Sequence, residues 1–271
     1  MSSLHQGFQE TDGSADIQAA FSWLDGADGH PLVQQIKQAM LGICPVPAGA
    51  RVLDVGCGLG HEARRLAELA GPHGKVSGID SNPAMIAEAR RRAEGAALPC
   101  SFDVGDAVAL PFPDGAFDLC RTERVLRYMD EPLVALEQMR RVTRTGGSVI
   151  AFDFDSDQTV VDAADPVLAR RIADALDAAV PHPWIGRQLH GLFLRAGLRS
   201  VRVVPHAISV SGAPGFAMYQ RLNAGTIDRA VRAGALTAAE SAAWWAGLER
   251  AAADGTFFSA NLGFIAAGEK A

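Results

Sequence analysis

The chain has 271 residues, of which 48% are hydrophobic and 21% charged, with a net charge of −6. That balance excludes a disordered or fibrous protein, and the length suits one large α/β domain or a core with a small cap. The acidic excess argues against a nucleic-acid partner, because phosphate neutralisation calls for a basic face.

The polar stretch 1–14 lacks the basic and apolar regions of a secretory signal, and the first fifteen residues read as mobile. From residue 15 to 44 the pattern is helical, and in Pro31–Ile43 the residues Leu32, Val33, Ile36, Met40 and Leu41 form one stripe. A regular alternation then begins. Strands are predicted over 51–55, 75–80, 100–104, 117–121 and 148–154, with helices over 60–70, 83–94 and 133–142. Strands alternating with helices imply a parallel sheet covered on both faces. Beyond Asp155 the rhythm loosens: helices over 166–180 and 185–196, a strand over 201–210, helices over 215–232 and 238–253, and a closing strand over 257–266. Two helices between the last two strands exceed what a crossover needs, so residues 211–255 read as a helical lid on a core at about 45–155. The whole chain is read as a single domain.

The cysteines Cys44, Cys57, Cys100 and Cys120 form no C-x-x-C pair and have no histidine at zinc-finger spacing. They read as structural thiols of a reducing compartment. No apolar run is long enough to span a bilayer, so the expected location is cytoplasmic.

The stretch Val52 to Gly60, VLDVGCGLG, carries the chemistry. An apolar strand runs into a glycine turn that opens a helix, where free N–H groups and close backbone approach suit a ligand. Gly56, Gly58 and Gly60 are spaced G-x-G-x-G, with His61 where a dinucleotide fingerprint carries its third glycine. No pyrophosphate need be held there. The amino-acid end of S-adenosylmethionine fits instead, with Asp54 placed to neutralise its ammonium. Asp80 ends the next strand about twenty residues on, where an acid meets ribose hydroxyls. Its alternative is a helix N-cap in the run Asp80-Ser81-Asn82-Pro83. Asp106, after the third strand, either accepts from an adenine amino group or is a solvated turn aspartate.

These residues, with Gly78-Ile79-Asp80, Gly105-Asp106-Ala107, Leu110 to Asp114, Phe117-Asp118 and the turn Arg144-Thr145-Gly146-Gly147, resemble class I S-adenosylmethionine-dependent methyltransferases. The resemblance is greatest to the group that includes ubiquinone/menaquinone C-methyltransferases and natural-product methyltransferases. It covers Pro47 to Phe154 firmly and the remainder loosely. It implies an α/β Rossmann-like sheet of seven strands, mostly parallel with the last antiparallel. It also implies that Gly56, Cys57, Gly58 and Gly60 line the methionine part. Asp80 would hold the ribose, Ser81 and Met85 would flank the adenosine, Asp106 and Ala107 would hold the adenine, and Thr122 would begin the segment facing the methyl group. One departure stands out. Relatives often carry a histidine where this chain has Tyr128, so a basic role is not carried over. Thr145 replaces the usual proline of the glycine turn before strand five.

In an open α/β sheet the ligand lies outside the carboxyl ends of the strands. The substrate is therefore expected against residues 122–128 and 153–157, the N-terminal helices and the lid. Phe21 and Trp23 either close over the cofactor or simply pack a terminal helix. Tyr128, Trp184 and Arg187 are the expected substrate contacts, the last two on one face of a helix entered through Pro181-His182-Pro183. Trp244 and Trp245 divide between core and pocket wall. Methyl transfer to oxygen or carbon usually needs a proton removed, and the candidate bases are Asp153, Asp155, His182 and Glu123. The alternate acids Asp153, Asp155 and Asp157 mimic a magnesium site, but strand alternation explains their spacing, and no metal is expected. The expected partner is a small-molecule substrate, apolar or aromatic, quinone-like or natural-product-like, with neither nucleic acid nor membrane; a homodimer is left open. Two alternatives stay: a relative that uses the bound sulfonium for another reaction, and a cofactor-binding protein without chemistry.

Overall fold

The computed structural model describes residues 14–271, and the expectations placed on the stretch before Ser14 lie outside the described residues. Two helices lead in, α1 (Ser14–Asp28) and α2 (Pro31–Ile43). The alternating region follows as β1 (Arg51–Val55), α3 (His61–Ala70), β2 (Lys75–Asp80), α4 (Pro83–Ala93), β3 (Cys100–Val104), β4 (Phe117–Glu123), α5 (Pro132–Val142) and β5 (Thr143–Val161). The rest of the chain is α6 (Pro166–Asp177), α7 (Ile185–Arg195), β6 (Arg199–Ser211), α8 (Gly212–Arg232), α9 (Ala238–Ala253) and β7 (Phe258–Glu269).

The seven strands form one sheet in the order β3-β2-β1-β4-β5-β7-β6. Strands β1 to β5 are parallel, and β7 runs antiparallel to both β5 and β6. The chain winds outward from β1 to β3, then restarts beside β1 with β4, which puts the reversal of strand order between β1 and β4. Val55 is in register with both Ile79 and Thr122, so the carboxyl ends of β1, β2 and β4 open at one level. A crevice at such a reversal is where ligands enter this kind of sheet.

Strand alternation sorts the core onto two faces. Leu53, Val55, Cys120 and Ala151 pack with Leu136 and Met139 of α5 and Leu189 and Phe193 of α7. Val52, Leu119, Ile150 and Phe152 pack on the other side with Ile36 and Met40 of α2 and Ala63 and Leu66 of α3. A separate core, built on Ile172, Tyr219, Ile227, Trp244, Leu248 and Phe257, knits α6, α8 and α9 into the lid. Trp244 is buried in that core and Trp245 packs against it, neither lining the central cavity.

Strands β5 and β7 run longer than their hydrophobic patterns suggest. β5 continues seven residues past Phe154, and Thr159 to Val161 pair with Ser259 to Asn261 of β7 after an irregularity between Asp155 and Thr159. The antiparallel ladder sustains these residues although they are partly exposed, since backbone bonds need no apolar alternation. No described helix is long and apolar enough to cross a membrane.

Candidate active site

A cavity of about 760 Å³ opens at the carboxyl ends of β1, β2 and β4 and extends beneath the lid. Its inner end is the glycine turn. Gly56, Gly58 and Gly60 have φ of 74°, 51° and 69°, in the left-handed region. A Cβ on Gly56 would lie 2.4 Å from Val125 Cγ2, and one on Gly60 2.5 Å from Phe102 Cε1. The first contact locks the turn to the segment after β4, and the second seats α3 on β3. Gly60 therefore lies behind the wall, whereas Gly56, Cys57 and Gly58 line it. Burial pushes the Cys57 thiol up, which leaves it neutral and unreactive.

Asp80 also lines the cavity and braces the turn, accepting from the Gly58 N–H at 2.9 Å and the Asn82 N–H at 2.9 Å. The helix cap falls to Asn82, whose side chain accepts from the backbone N–H groups of Ala84 and Met85. Burial raises the Asp80 carboxyl and these two hydrogen bonds oppose the shift. Ser81 and Met85 continue this wall. Asp106 and Ala107 stand on the rim; the exposed Asp106 side chain caps its own short turn through the Val108 N–H at 3.0 Å. Helix α1 closes this end. Trp23 and Leu24 line the cavity, while Phe21 is buried with Leu59 and Met85. Asp25 pins the helix by pairing with His61 at 2.8 Å and Arg92 at 2.5 Å.

Beneath the turn lies a buried charge network. Arg121 pairs with Glu62 at 2.6 Å, with Glu123 at 2.7 Å and with Asp54 at 3.9 Å. Lys37 pairs with Asp28 at 2.5 Å and Glu62 at 3.1 Å, and Arg124 with Glu123 at 3.1 Å. Fully ionised, the four carboxylates Asp28, Asp54, Glu62 and Glu123 face the four cations Lys37, Arg121, Arg124 and Arg65, the last 3.9 Å from Glu62. Asp54 is the least closely paired of the four carboxylates, with its ion pair to Arg121 at 3.9 Å. Burial pushes its carboxyl up to about 7, Arg121 and Lys37 pull it down, and Glu62 and Glu123 push it further up. Glu123 stays low despite burial because Arg124, Arg121 and Lys37 surround it.

Several expected contacts do not reach the cavity. Thr122 is wholly buried on the side of β4 opposite its neighbours Arg121 and Glu123, which do line it. Asp153 is buried behind the wall, where it accepts from the backbone N–H groups of Arg127 at 3.2 Å and Phe154 at 3.1 Å. His182 also lies off the cavity and donates its backbone N–H to the Arg127 carbonyl. These two of the four expected bases thus clamp the segment after β4 and do not line the cavity. Glu123 does line the cavity, held by two arginines.

Trp184 and Arg187 are likewise displaced. Ile185 and Leu189 of α7 point into the core, so the helix register turns Trp184 outward at 51% exposure. Arg187 chelates Asp155 at 2.5 and 2.6 Å and reaches Asp157 at 2.9 Å, with its guanidinium 5.6 Å from the Trp184 ring centre. That clamp occupies the alternate acids of β5 and removes Asp155 from the list of bases. Tyr128 does line the cavity.

Other wall residues carried weaker signals. Met218, Leu222, Thr226 and Arg229 form one stripe of α8 over the outer chamber, opposite Leu176, Asp177 and Val180 near the end of α6. The stripe is visible as helical spacing, but nothing in it distinguishes a pocket wall from a core face. Lys37 was readable as a lone cation on the apolar face of α2, and such a residue is seldom buried without partners.

The segment 47–181 matches a family described as a methyltransferase domain. The chain is 31% identical over 183 residues to the ubiquinone/menaquinone biosynthesis C-methyltransferase UbiE of Cupriavidus taiwanensis, covering 67% of this chain and 70% of that protein. It belongs to the class I S-adenosylmethionine-dependent methyltransferases. Another relative is a 37.1 kDa protein of transposon Tn4556 from Streptomyces fradiae, 37% identical over 241 residues, 88% of this chain and 68% of that protein. Among solved structures, the phosphoethanolamine N-methyltransferase 2 of Haemonchus contortus, crystallised with S-adenosyl-L-methionine, aligns with a TM-score of 0.61 at 18% identity. That match covers all of this chain and 61% of the other, and it shows the class I methyltransferase fold. The strand order described above, with its antiparallel last strand, is the arrangement the family resemblance implied.

Proposed function

We propose that the chain transfers a methyl group from S-adenosylmethionine to a small apolar or aromatic molecule, quinone-like or natural-product-like, held under the helical lid. The supporting observation is the single cavity of about 760 Å³ that joins the glycine turn to the lid chamber. Its volume lies toward the upper end of the ~300–1,000 Å³ usual for small-molecule sites, which suits two ligands side by side. The residues present fit the cofactor. Asp54 lines the cavity with its ion pair to Arg121 only at 3.9 Å, which leaves it open to a ligand ammonium, and Gly58 borders the cavity with only Leu24 within 4 Å of a Cβ position. Gly56, Cys57 and Gly58 would hold the methionine part, Asp80 the ribose, Ser81 and Met85 the adenosine, and Asp106 with Ala107 the adenine.

The bound sulfonium would supply an already activated methyl group. The chain's own residues then align the acceptor and exclude water. Helices α1 and α8 cover the two ends, and Met218, Leu222, Leu176 and Val180 present an apolar wall to the acceptor. The relative UbiE is named for quinone biosynthesis, which agrees with an aromatic acceptor.

Calorimetry tests the cofactor: S-adenosylmethionine and S-adenosylhomocysteine bind and NAD does not. Mass spectrometry of a panel of quinols and phenols tests the reaction, and the expected product is heavier by one methyl. NAD binding without sulfonium binding would refute the assignment, and product formation without the added methyl would show a different reaction on the same cofactor.

A further inference from the structure

The cavity cations differ in how their charge is met. Lys37, Arg121 and Arg124 each lie within 4 Å of a carboxylate. Arg127 lines the same cavity, yet among the described residues no carboxylate lies within ion-pair distance of it. Its Nη2 donates to the neutral Ser156 Oγ at 2.5 Å, and its Nε is buried with no acceptor. A half-buried guanidinium with one buried, unused donor costs free energy unless an acceptor arrives, and an anion is the best one. Arg221 and Arg229 of α8 also lack a carboxylate. However, Arg221 is exposed, Arg229 bonds Thr226 Oγ1 at 2.8 Å, and neither has a buried donor without an acceptor.

Arg127 is also held in place. Its N–H donates to Asp153 Oδ2, its carbonyl accepts from the His182 N–H, and its guanidinium lies 5.4 Å from the Tyr128 ring centre. Val125, two residues earlier, packs against Gly56, so Arg127 stands where the glycine-turn end meets the outer chamber. This is over-determined positioning of a single charged group, the way a binding constellation is pre-organised.

We infer that Arg127 is the substrate's anion site, binding an acidic oxygen of the small molecule, such as a phenol, enol or carboxyl, in its ionised form. The proton released on ionisation passes to water, so no side-chain base is required, consistent with Asp153 and His182 lying off the cavity. Of the other charges facing this corner, Asp153 attracts Arg127 from beyond ion-pair distance. Its two oxygens accept from backbone N–H groups and make no direct bond to the guanidinium, whose cavity-facing side stays without an anion. Arg124 is tied to Glu123, and Arg187 takes up Asp155 and Asp157. Asp177 on α6 feels the charges of Asp157 and Asp155, and Asp130 and Glu131 lie further along the same segment.

The inference rests on the methyl-transfer reading only for the identity of the neighbouring ligand. The test titrates 4-nitrophenol by its phenolate absorbance with the protein, with and without S-adenosylhomocysteine. Bound probe is expected to ionise at least one pH unit below free probe, and wild-type protein to bind phenolate at least tenfold tighter than the neutral ether 4-nitroanisole. Arg127→Met should lose both effects while keeping S-adenosylhomocysteine affinity within threefold, and Arg127→Lys should retain part of them. An unshifted ionisation, equal affinity for the ether, an unchanged Met variant, or no probe binding at millimolar concentration overturns the inference. Calorimetry on the same samples separates the two ideas, because missing S-adenosylhomocysteine binding would refute the cofactor while the phenol comparison in its absence still judges Arg127.

Discussion

Asp54, set against the cofactor's ammonium in the proposed reading, should make cofactor affinity depend on pH. In the free protein burial pushes its carboxyl up to about 7, and its ion pair to Arg121 is long, at 3.9 Å. A ligand ammonium placed there favours the ionised carboxylate and lowers that value. Binding then takes up the ionised form, so affinity tracks its population. At pH 6 about one in eleven molecules is ionised and at pH 8 about ten in eleven, which is roughly a tenfold change in affinity, about 1.4 kcal/mol. Isothermal calorimetry with S-adenosylhomocysteine, in buffers of different ionisation enthalpy, reads the affinity and the proton count together. The expected result is a tenfold gain from pH 6 to pH 8 and release of about half a proton near pH 7. Asp54→Asn should flatten the profile and weaken binding most at pH 8. The same residue acts oppositely on stability. Its folded value lies above the unfolded one of 3.8, so the folded state binds more protons between the two. Stability from this group is therefore highest below about pH 4 and falls as pH rises toward 7, and Asp54→Asn should remove that fall. A flat affinity profile with no proton release would refute the reasoning.

Asp80→Ala should weaken S-adenosylhomocysteine binding ten- to a hundredfold, from loss of about 1.5–3 kcal/mol of charged hydrogen bonding. Because Asp80 also braces Gly58 and Asn82, a lower melting temperature should accompany it, and unchanged affinity would exclude the ribose role. Glu62→Gln breaks two buried pairs, with Lys37 and Arg121, and should cost about 3–5 kcal/mol in urea unfolding; a loss below 1 kcal/mol would mean the network is well hydrated. Trp184→Ala and Arg187→Ala should leave S-adenosylhomocysteine affinity within threefold and turnover near wild type, because neither side chain lines the cavity. A tenfold drop in kcat/KM in folded Trp184→Ala would restore it to the substrate wall.

The amino-acid sequence alone determined the elements from β1 to β5 and the glycine-turn end of the cavity. Both rest on local physics: apolar runs of strand length, helical stripes, and a glycine turn whose backbone conformations few other residues adopt. Asp54, Asp80 and Asp106 were readable because strand ends fall at regular intervals along the chain, and strand ends are where this sheet binds ligands. The tertiary structure decided which polar groups face the cavity and which hold it together. Asp153, His182 and Arg187 carry the right chemistry for catalysis or recognition, but their partners lie 26 to 55 residues away, at Arg127 and Asp155. No local pattern reports such a partner. The same holds for the network of Lys37, Glu62, Arg121 and Glu123, whose members come from α2, α3 and β4. A charge reveals its role through what neutralises it, and that depends on distance in space, which the spacing of residues along the chain does not encode.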